Sequence, residues 1–231
     1  MALVTGGTRG IGRSIAARLR ADGAAVTITG TRPGGIAPEG CSYEDVDFAD
    51  PLATDRFAER MSEAPVDILV NNAGVNAIAP FSEIATADFD RIQRVNVRAP
   101  MLLCQAVLGY MRARGWGRIV NVSSIFGVVS KEERASYSAS KFALDGMTAS
   151  LAAEAASYGV LANCVAPGFI DTDLTRRVLG EAGMAEMAST VPARRLGRPE
   201  EVAELVAWLA GPRNTYMSGQ NVVVDGGFTR T

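Results

Sequence analysis

Short apolar, β-branched runs alternate with longer amphipathic segments from one end of the chain to the other. Several of the short runs are apolar almost throughout, which is typical of parallel strands covered on both faces. Strand–helix alternation of this kind builds right-handed β-α-β units. The pattern therefore predicts an α/β fold with a doubly wound parallel sheet. The predicted strands are 3–5, 26–29, 43–45, 68–71, 118–122, 161–165 and 221–224.

Two segments depart from the simple alternation. Residues 31–41 are rich in Gly and Pro at a place where a helix is expected, and we interpret them as a loop that replaces it. Residues 172–195 have a helical pattern but contain Gly180, Gly183 and Pro192. We interpret this second segment as a substrate lid within one domain that spans residues 1–231.

Composition and charge exclude several classes of protein. The 231 residues carry 23 Lys and Arg against 25 Asp and Glu, so nucleic acid and anionic membranes are not expected partners. The longest run without charge, 155–170, is 16 residues long, and a transmembrane helix needs roughly 20. Met1 leads directly into the first predicted strand, so we expect no signal peptide.

The chain contains no histidine. This excludes Ser-His-Asp triads, Cys-His dyads and His-ligated metal sites, and leaves acid–base chemistry to Tyr, Lys, Asp, Glu or Cys. Cys41, Cys104 and Cys164 are odd in number and far apart. We interpret them as buried thiols of a protein in a reducing cytoplasm, and we predict no metal site.

A glycine-rich turn joins the first strand to the first helix, with the sequence TGGTRGIG at 5–12. Glycines allow a sharp turn and close approach of a pyrophosphate, and the helix N-terminus attracts its charge. The lysine of an ATPase P-loop is absent. The turn therefore predicts a dinucleotide site rather than an ATP site. Its predicted contacts are Gly6, Thr8, Arg9, Gly10, Ile11 and Gly12.

The residues after the second strand indicate which dinucleotide binds. An acid that would bond the ribose 2′-hydroxyl is expected there, but the chain has no carboxylate between the second strand and Glu39. Arginine offers a planar fork of donors that suits a 2′-phosphate. We therefore predict NADP(H) rather than NAD(H), with contacts from Arg9, Thr31 and Arg32. The alternative for both arginines is an ordinary solvated charge.

Tyr137 and Lys141 lie one helical turn apart, so both side chains share one helix face. A cation about 5 Å from a phenol, at an effective dielectric constant near 20, favours the phenolate by roughly 3 kcal/mol. That corresponds to a tyrosine pKa lowered by about two units. The pair predicts an acid–base tyrosine, and the alternative is a packed tyrosine beside a solvated lysine.

Further polar residues follow the ends of predicted strands, where doubly wound sheets place their sites. Ser124 follows the fifth strand, and its hydroxyl could polarise a substrate carbonyl. Asn96 lies in a helical run, where a buried amide needs a partner. Residues after the fourth and sixth strands suit close approach by a cofactor. They are Asn72, Ala73 and Gly74, and then Pro167, Gly168, Ile170 and Thr172.

Taken together, these motifs resemble those of the short-chain dehydrogenase/reductase family over essentially the whole chain. The resemblance is carried by 5–12, 71–74, Asn96, Ser124, Tyr137 with Lys141, and Pro167-Gly168. It implies a single-domain Rossmann-like fold with a seven-stranded sheet. It also implies hydride transfer between NAD(P) and a carbonyl/alcohol pair.

The resemblance implies a role for each catalytic residue. Tyr137 would donate or accept the proton, and Lys141 would hold the ribose and lower the pKa of Tyr137. Ser124 would bind the substrate oxygen, and Asn96 would support a water-mediated proton relay to Lys141. It also implies an adenine contact at Asp47, a cofactor contact at the neighbouring Phe48, and carboxamide contacts at Ile170 and Thr172.

Within the family the chain is similar to the 3-oxoacyl-[acyl-carrier-protein] reductases, through 8–10, 167–175, 191–199 and 222–227. This implies a cytoplasmic, NADPH-dependent reductase of a ketone or 3-oxoacyl thioester that is small or carrier-bound. Two alternatives stay open. One is a polyol or sugar dehydrogenase of the same family, and the other is a non-catalytic NADP-binding regulatory subunit. Arg98 and Arg134 could touch an acidic partner, and a solvated position is the alternative for each.

One face of the Tyr137 helix carries only small residues, which lets another helix approach closely. The resemblance implies a dimer contact there, and the apolar segment 222–224 could form a second interface. We therefore predict a homotetramer. The small residues are Ala139, Ala143, Gly146, Ala149 and Ala153.

Overall fold

The computed structural model describes residues 1–230, apart from the side chains at 174, 178 and 179. Seven parallel strands form one sheet in the order β3-β2-β1-β4-β5-β6-β7. This confirms the predicted doubly wound α/β sheet. The strands are β1 (Ala2–Val4), β2 (Val26–Gly30), β3 (Ser42–Asp45), β4 (Ile68–Asn71), β5 (Gly117–Val122), β6 (Val160–Pro167) and β7 (Asn221–Val224).

Helices connect the strands and cover both faces of the sheet. Short helical turns flank them at Phe81–Glu83, Arg94–Arg98, Ile125–Gly127, Ala156–Tyr158 and Phe228–Arg230. The helices are α1 (Gly10–Ala21), α2 (Pro51–Glu63), α3 (Thr86–Gln93), α4 (Ala99–Arg114), α5 (Ala135–Ala155), α6 (Asp173–Thr190) and α7 (Pro199–Ala210).

Two apolar layers explain why the strands read as apolar on both sides. On one face α1 and α7 pack together, with Ile15 and Val206 fully buried. On the other face α2 packs on α4, with Phe57, Val107 and Met111 fully buried. Burial on this scale is worth about 1.5–3 kcal/mol per large side chain. The two layers therefore hold the sheet in place and fix its carboxyl edge.

The predicted strand boundaries agree with the structure to within about two residues. The largest difference is β6, which continues to Pro167 because it pairs with β7 along that whole stretch. Residues 31–41 contain no helix, as predicted. Segment 172–195 is mostly α6, whose backbone breaks at Gly180 with a φ of 64°.

The reversal of strand order lies between β1 and β4, because the chain moves from β1 outward to β3 and then returns to the other side. In sheets of this kind a crevice opens at the carboxyl ends of the strands next to this point. The loops after β1, β4, β5 and β6 all reach this edge. In the part of the chain that the structure describes, no helix combines the length and apolarity needed to cross a bilayer.

Candidate active site

The turn between β1 and α1 forms a cradle that only glycine can build. Gly6 and Gly10 have φ values of 66° and 51°, a region that favours glycine. A Cβ added to Gly12 would lie 2.3 Å from the Gly6 carbonyl oxygen and 2.3 Å from the Asn72 amide nitrogen. The backbone of this turn is therefore packed tightly against β4, and it stands at the N-terminus of α1.

Thr5 and Asn72 hold the cradle. The Asn72 side-chain amide donates to the carbonyl oxygens of Thr5 at 2.9 Å and Gly6 at 3.1 Å. The backbone N–H groups of Asn72 and Ala73 donate to the Thr5 hydroxyl at 2.9 Å and 3.0 Å. These donors are already used in hydrogen bonds within the protein. The role that the structure shows for Asn72 and Ala73 is therefore to hold the glycine turn in place. Their predicted contacts with a cofactor stay predictions.

The side chains of Tyr137 and Lys141 face each other, with the Lys141 Nζ 5.5 Å from the centre of the Tyr137 ring. Lys141 is buried, and its ammonium donates to the Val122 carbonyl oxygen at 2.8 Å. Burial lowers the pKa of Lys141 to about 8, because the charged form loses its hydration. The lysine is thus a buried group at the cleft rather than a solvated one.

The pKa of Tyr137 lies above its ordinary value in this structure, and the expected lowering by Lys141 stays a prediction. Burial raises the pKa of Tyr137, and a hydrogen bond from Ser124 and the charge of Arg134 only partly oppose that increase. Loss of hydration disfavours the charged phenolate and is the largest cause of this increase. A hydrated phenol beside a full positive charge would have the opposite shift.

The Ser124 hydroxyl lies close enough to the Tyr137 phenol to lower its pKa. Ser124 follows β5 and caps the short turn at Ile125–Gly127, where its Oγ accepts from the Phe126 N–H at 3.2 Å. Two hydroxyls that meet at one point can both bond a single oxygen atom of a ligand. This is the arrangement that protonation of a carbonyl oxygen requires.

Asn96 lies in a π-helical turn at Arg94–Arg98 and is buried. Its amide exchanges two 2.9 Å hydrogen bonds with the backbone of Val75 and donates to the Ser140 hydroxyl at 3.0 Å. Ser140 in turn donates to the Tyr137 carbonyl oxygen at 2.7 Å. Asn96 therefore joins the loop after β4 to the first turn of α5. Its predicted part in a proton relay stays a prediction.

A buried chain of polar side chains below the site holds α5 against the sheet, and our sequence analysis missed it. Asn71 donates to Asn121 at 2.8 Å, and Asn121 donates to the Thr148 hydroxyl at 2.7 Å. Thr148 is also 3.1 Å from the Cys164 sulfur. The signal in the sequence that could have predicted this chain is the presence of polar residues inside otherwise apolar strands. These bonds fix the rotation of the helix that carries Tyr137.

The segment after β6 reaches the same edge of the sheet. A Cβ on Gly168 would lie 2.8 Å from Asp225, and the Ile170 side chain is buried. The Thr172 hydroxyl caps α6, and its methyl group would lie 3.4 Å from a Cβ placed on Gly10. The structure thus brings Pro167–Thr172 beside the glycine cradle. Gly74 joins them, since a Cβ there would be 3.7 Å from the Lys141 Nζ.

The predicted adenosine contacts are more open. Arg9, Thr31 and Arg32 are exposed, and within residues 1–230 neither arginine has an ion-pair partner. Asp47 is exposed and accepts a hydrogen bond from the Ala49 N–H at 2.9 Å. The Phe48 ring is buried 6.0 Å from the Phe57 ring, so only the backbone of Phe48 can face a cofactor. The predicted cofactor contact of Phe48 stays a prediction.

A wall of aromatic rings surrounds the Ser124–Tyr137 pair, and the sequence analysis did not identify it. The Phe126 ring makes edge contacts with Tyr137 and with Phe169, each at 6.5 Å. Phe169 contacts Phe228 at 5.0 Å. The rings come from four distant segments, and only their positions after Ser124 and Gly168 hinted at this role. They make an apolar side to the cleft.

Two of the three cysteines are buried and unreactive. All three cysteines are free, and burial raises the pKa of Cys104 and of Cys164 to about 12. Both are therefore protonated and inert at neutral pH. No group of metal-ligating side chains occurs among residues 1–230.

Comparisons with known proteins agree on a single family. A family model described as Enoyl-(Acyl carrier protein) reductase matches residues 6–229. The 3-oxoacyl-[acyl-carrier-protein] reductase MabA of Mycobacterium tuberculosis is 39% identical over 227 residues, which cover 97% of this chain and 91% of that protein.

Solved structures share the whole fold. A 3-oxoacyl (acyl-carrier-protein) reductase of Agrobacterium tumefaciens with NADP bound superposes with a TM-score of 0.89 and 33% identity, covering 97% of this chain and 92% of that one. A proposed NAD(P)-dependent gluconate 5-dehydrogenase of Beutenbergia cavernae, also with NADP, has a TM-score of 0.90 and 34% identity, with coverage of 100% and 96%.

Proposed function

The chain belongs to the short-chain dehydrogenase/reductase family of oxidoreductases, and on that premise we propose that it reduces ketones with NADPH. The observation that carries the proposal is the buried Lys141, whose Nζ lies 5.5 Å from the centre of the Tyr137 ring, with Ser124 acting on the same phenol. The first substrate class is a 3-oxoacyl thioester, free or carrier-bound, because the matched curated relative is named for that reaction.

The residues around the cradle fit an NADP(H) molecule. Gly6, Gly10 and Gly12 allow the turn to pack closely against its neighbours at the positive end of α1, which attracts a pyrophosphate. Arg9 and Arg32 are free to bind a 2′-phosphate. When bound, the cofactor supplies a hydride to the carbonyl carbon. The remaining predicted contacts are Thr8, Ile11, Thr31, Asp47, Asn72, Ala73, Gly74, Pro167, Gly168, Ile170 and Thr172.

The proton for the substrate oxygen comes from Tyr137. Ser124 donates a hydrogen bond to the same oxygen, so negative charge that develops there meets two donors already in position. The raised pKa of Tyr137 keeps the phenol protonated at neutral pH, which suits a proton donor in the reducing direction. Lys141 stands next to the phenol as a cation that can bind ribose hydroxyls and favour the phenolate once the proton has left.

Replacing Tyr137 by Phe tests the proposal. We expect kcat for NADPH oxidation with acetoacetyl thioester to fall by about 10²–10⁴-fold, because the proton donor is gone. NADPH binding, followed by cofactor fluorescence, should stay within two-fold. Tyr216→Phe is the matched control, since Tyr216 is 97% exposed. Undiminished turnover by the Tyr137 variant would refute the assigned acid.

A panel of substrates distinguishes between the candidate substrate classes. The gluconate dehydrogenase similarity favours a sugar or polyol substrate as the second candidate. Acetoacetyl thioester, 5-ketogluconate and crotonyl thioester each test one reading, the last because the family model is described by enoyl reduction. We expect the highest kcat/KM for acetoacetyl thioester. NADPH binding without turnover of any ketone would favour a non-catalytic regulatory subunit.

We also propose a homotetramer with α6 as a lid. The small-residue face of α5 is exposed, with Phe142 47% exposed beside it, and β7 is an unpaired sheet edge. An exposed apolar face and a free edge both favour contact with another copy. Gel filtration with light scattering should give four chains, and Ala149→Arg should reduce that number. We further propose a cytoplasmic location, because the three cysteines are free thiols and a reducing compartment keeps thiols in that state.

A further inference from the structure

Arg134 stands at the entrance of the site, three residues before Tyr137 and directly before α5. Its guanidinium carbon is 5.6 Å from the centre of the Phe126 ring. That ring makes edge contacts with both Tyr137 and Phe169. The arginine is therefore part of the aromatic side of the cleft, on the side of the reacting phenol.

The guanidinium has no polar partner within residues 1–230. The Arg134 Nε is buried without a hydrogen bond, and no carboxylate lies within ion-pair distance, although Glu132 and Glu133 precede it in the chain. Arg176 and Arg195, by contrast, pair with Asp171 and Glu201. A buried N–H left unpaired costs about 1–3 kcal/mol. An oxygen acceptor brought by a ligand would remove that cost.

The backbone holds Arg134 in this position before any ligand arrives. Its carbonyl oxygen accepts from the Ser138 N–H at 2.8 Å in the first turn of α5. The carbonyl of Glu133 accepts from the Ala79 N–H at 3.4 Å, which ties the segment to the loop after β4. Glu133 has a φ of 62°, a strained value for a residue with a side chain. The site thus keeps a costly turn that aims Arg134 at the cleft.

We propose that Arg134 is a specificity residue that binds the acyl oxygen of a 3-oxoacyl substrate, two carbons from the ketone that Tyr137 protonates. This inference rests on the proposed ketone reduction and narrows its substrate class. A guanidinium offers several N–H donors in a planar fork, which suits a thioester carbonyl or a carboxylate at that position. Both groups present an acyl oxygen to the guanidinium. They differ in charge, since a thioester carbonyl is neutral and a carboxylate is negative.

The experiment compares substrates with and without that oxygen. Acetoacetyl thioester carries a neutral acyl oxygen, acetoacetate carries a charged one, and cyclohexanone carries none. We expect Arg134→Gln to lower kcat/KM for at least one of the first two by about ten-fold more than for cyclohexanone, through KM. Any decrease for cyclohexanone measures only the loss of the Arg134 charge beside Tyr137. A loss for acetoacetate alone identifies a carboxylate, and a loss for the thioester alone or for both identifies an acyl carbonyl.

Two controls keep the result interpretable. Lys131→Gln removes an exposed cation from the same segment and should change none of the three substrates. Arg134→Lys keeps the charge but not the fork and should recover only part of the loss. An equal decrease for all three substrates, or none for any, would overturn the proposal.

A binding measurement separates this inference from the proposed function. Titration calorimetry of acetoacetate and of the thioester into the protein with NADP⁺ needs no turnover. At least ten-fold weaker binding of one of them to Arg134→Gln supports the role of Arg134 even if no ketone is reduced, an outcome that would refute only the proposed function. Unchanged binding of both would refute the role of Arg134 while reduction by the wild type stands.

Discussion

The proposed catalytic end of the cleft and its proposed adenosine end are built in opposite ways. At the catalytic end Lys141 is buried and bonded to a backbone carbonyl, and the buried Ser124 hydroxyl accepts from the Phe126 N–H. At the adenosine end Arg9 and Arg32 project into solvent from loops without an ion-pair partner within residues 1–230.

The difference shows how one fold separates chemistry from cofactor choice. Buried polar groups must satisfy one another, so their geometry is set when the chain folds. Exposed arginines keep their hydration and acquire a fixed geometry only when a ligand pairs with them. We therefore expect changes at the catalytic end to alter rate and stability. Changes at the adenosine end should alter affinity for one cofactor.

Gly12→Ala should have the largest effect on cofactor affinity, because it alters the cradle that joins the two ends. The new Cβ would lie 2.3 Å from the Gly6 carbonyl oxygen, so the loop must shift. Overpacking of this kind costs about 1–3 kcal/mol. NADPH affinity, measured by fluorescence titration, should fall by about ten-fold to a hundred-fold.

Gly109→Ala is the control for that change, since it lies in α4 with open space around it. It should leave cofactor affinity unchanged and raise the free energy of unfolding by up to about 1 kcal/mol. If the Gly12 variant bound NADPH within two-fold of the wild-type affinity, the glycine turn would not be needed for cofactor binding.

The pH dependence of stability should report the buried Lys141. The unfolded chain holds that proton up to a pKa near 10.5, whereas the folded protein releases it at about 8. At pH 7 both states are protonated, so the cost of burying the ammonium is fully present. Between pH 8 and 10.5 the unfolded state binds more protons, so the free energy of unfolding rises with pH.

Urea unfolding of the wild type and Lys141→Met at pH 7, 8.5 and 10 measures this effect. The wild-type value minus the variant value should rise by up to about 3 kcal/mol across the series. The raised pKa values of Cys104 and Cys164 act in the opposite direction, but both proteins contain them and the difference removes them. A difference that stays flat would show that Lys141 is hydrated in the folded protein.

Arg9→Ala should have the smallest effect, and it should be selective. A charge-assisted hydrogen bond to an exposed phosphate is worth about 1–2 kcal/mol, so KM for NADPH should rise by about ten-fold while KM for NADH stays unchanged. Arg213→Ala, an exposed arginine beyond α7, controls for net charge. Equal changes for both cofactors would make Arg9 an ordinary surface charge.

Most of the fold could be predicted, because continuous apolar runs such as 118–122 and 161–165 have few alternatives to buried parallel strands. The edge of the sheet that carries the site also followed from the pattern, since parallel strands end together. The aromatic wall could not be predicted. Phe126, Phe169 and Phe228 are far apart in sequence, and nothing local records that they pack together.

The sequence by itself determined the order of strands and helices, the glycine turn, and the one-turn spacing of Tyr137 and Lys141, because each depends on local backbone geometry. Tertiary structure alone decided that burial raises the pKa of Tyr137 and that the Phe48 ring faces the core. It also decided that Arg134 lies beside Phe126 without an ion-pair partner in the described part of the chain. Hydration and partnership depend on segments that meet only when the whole chain packs, so they are absent from any local pattern.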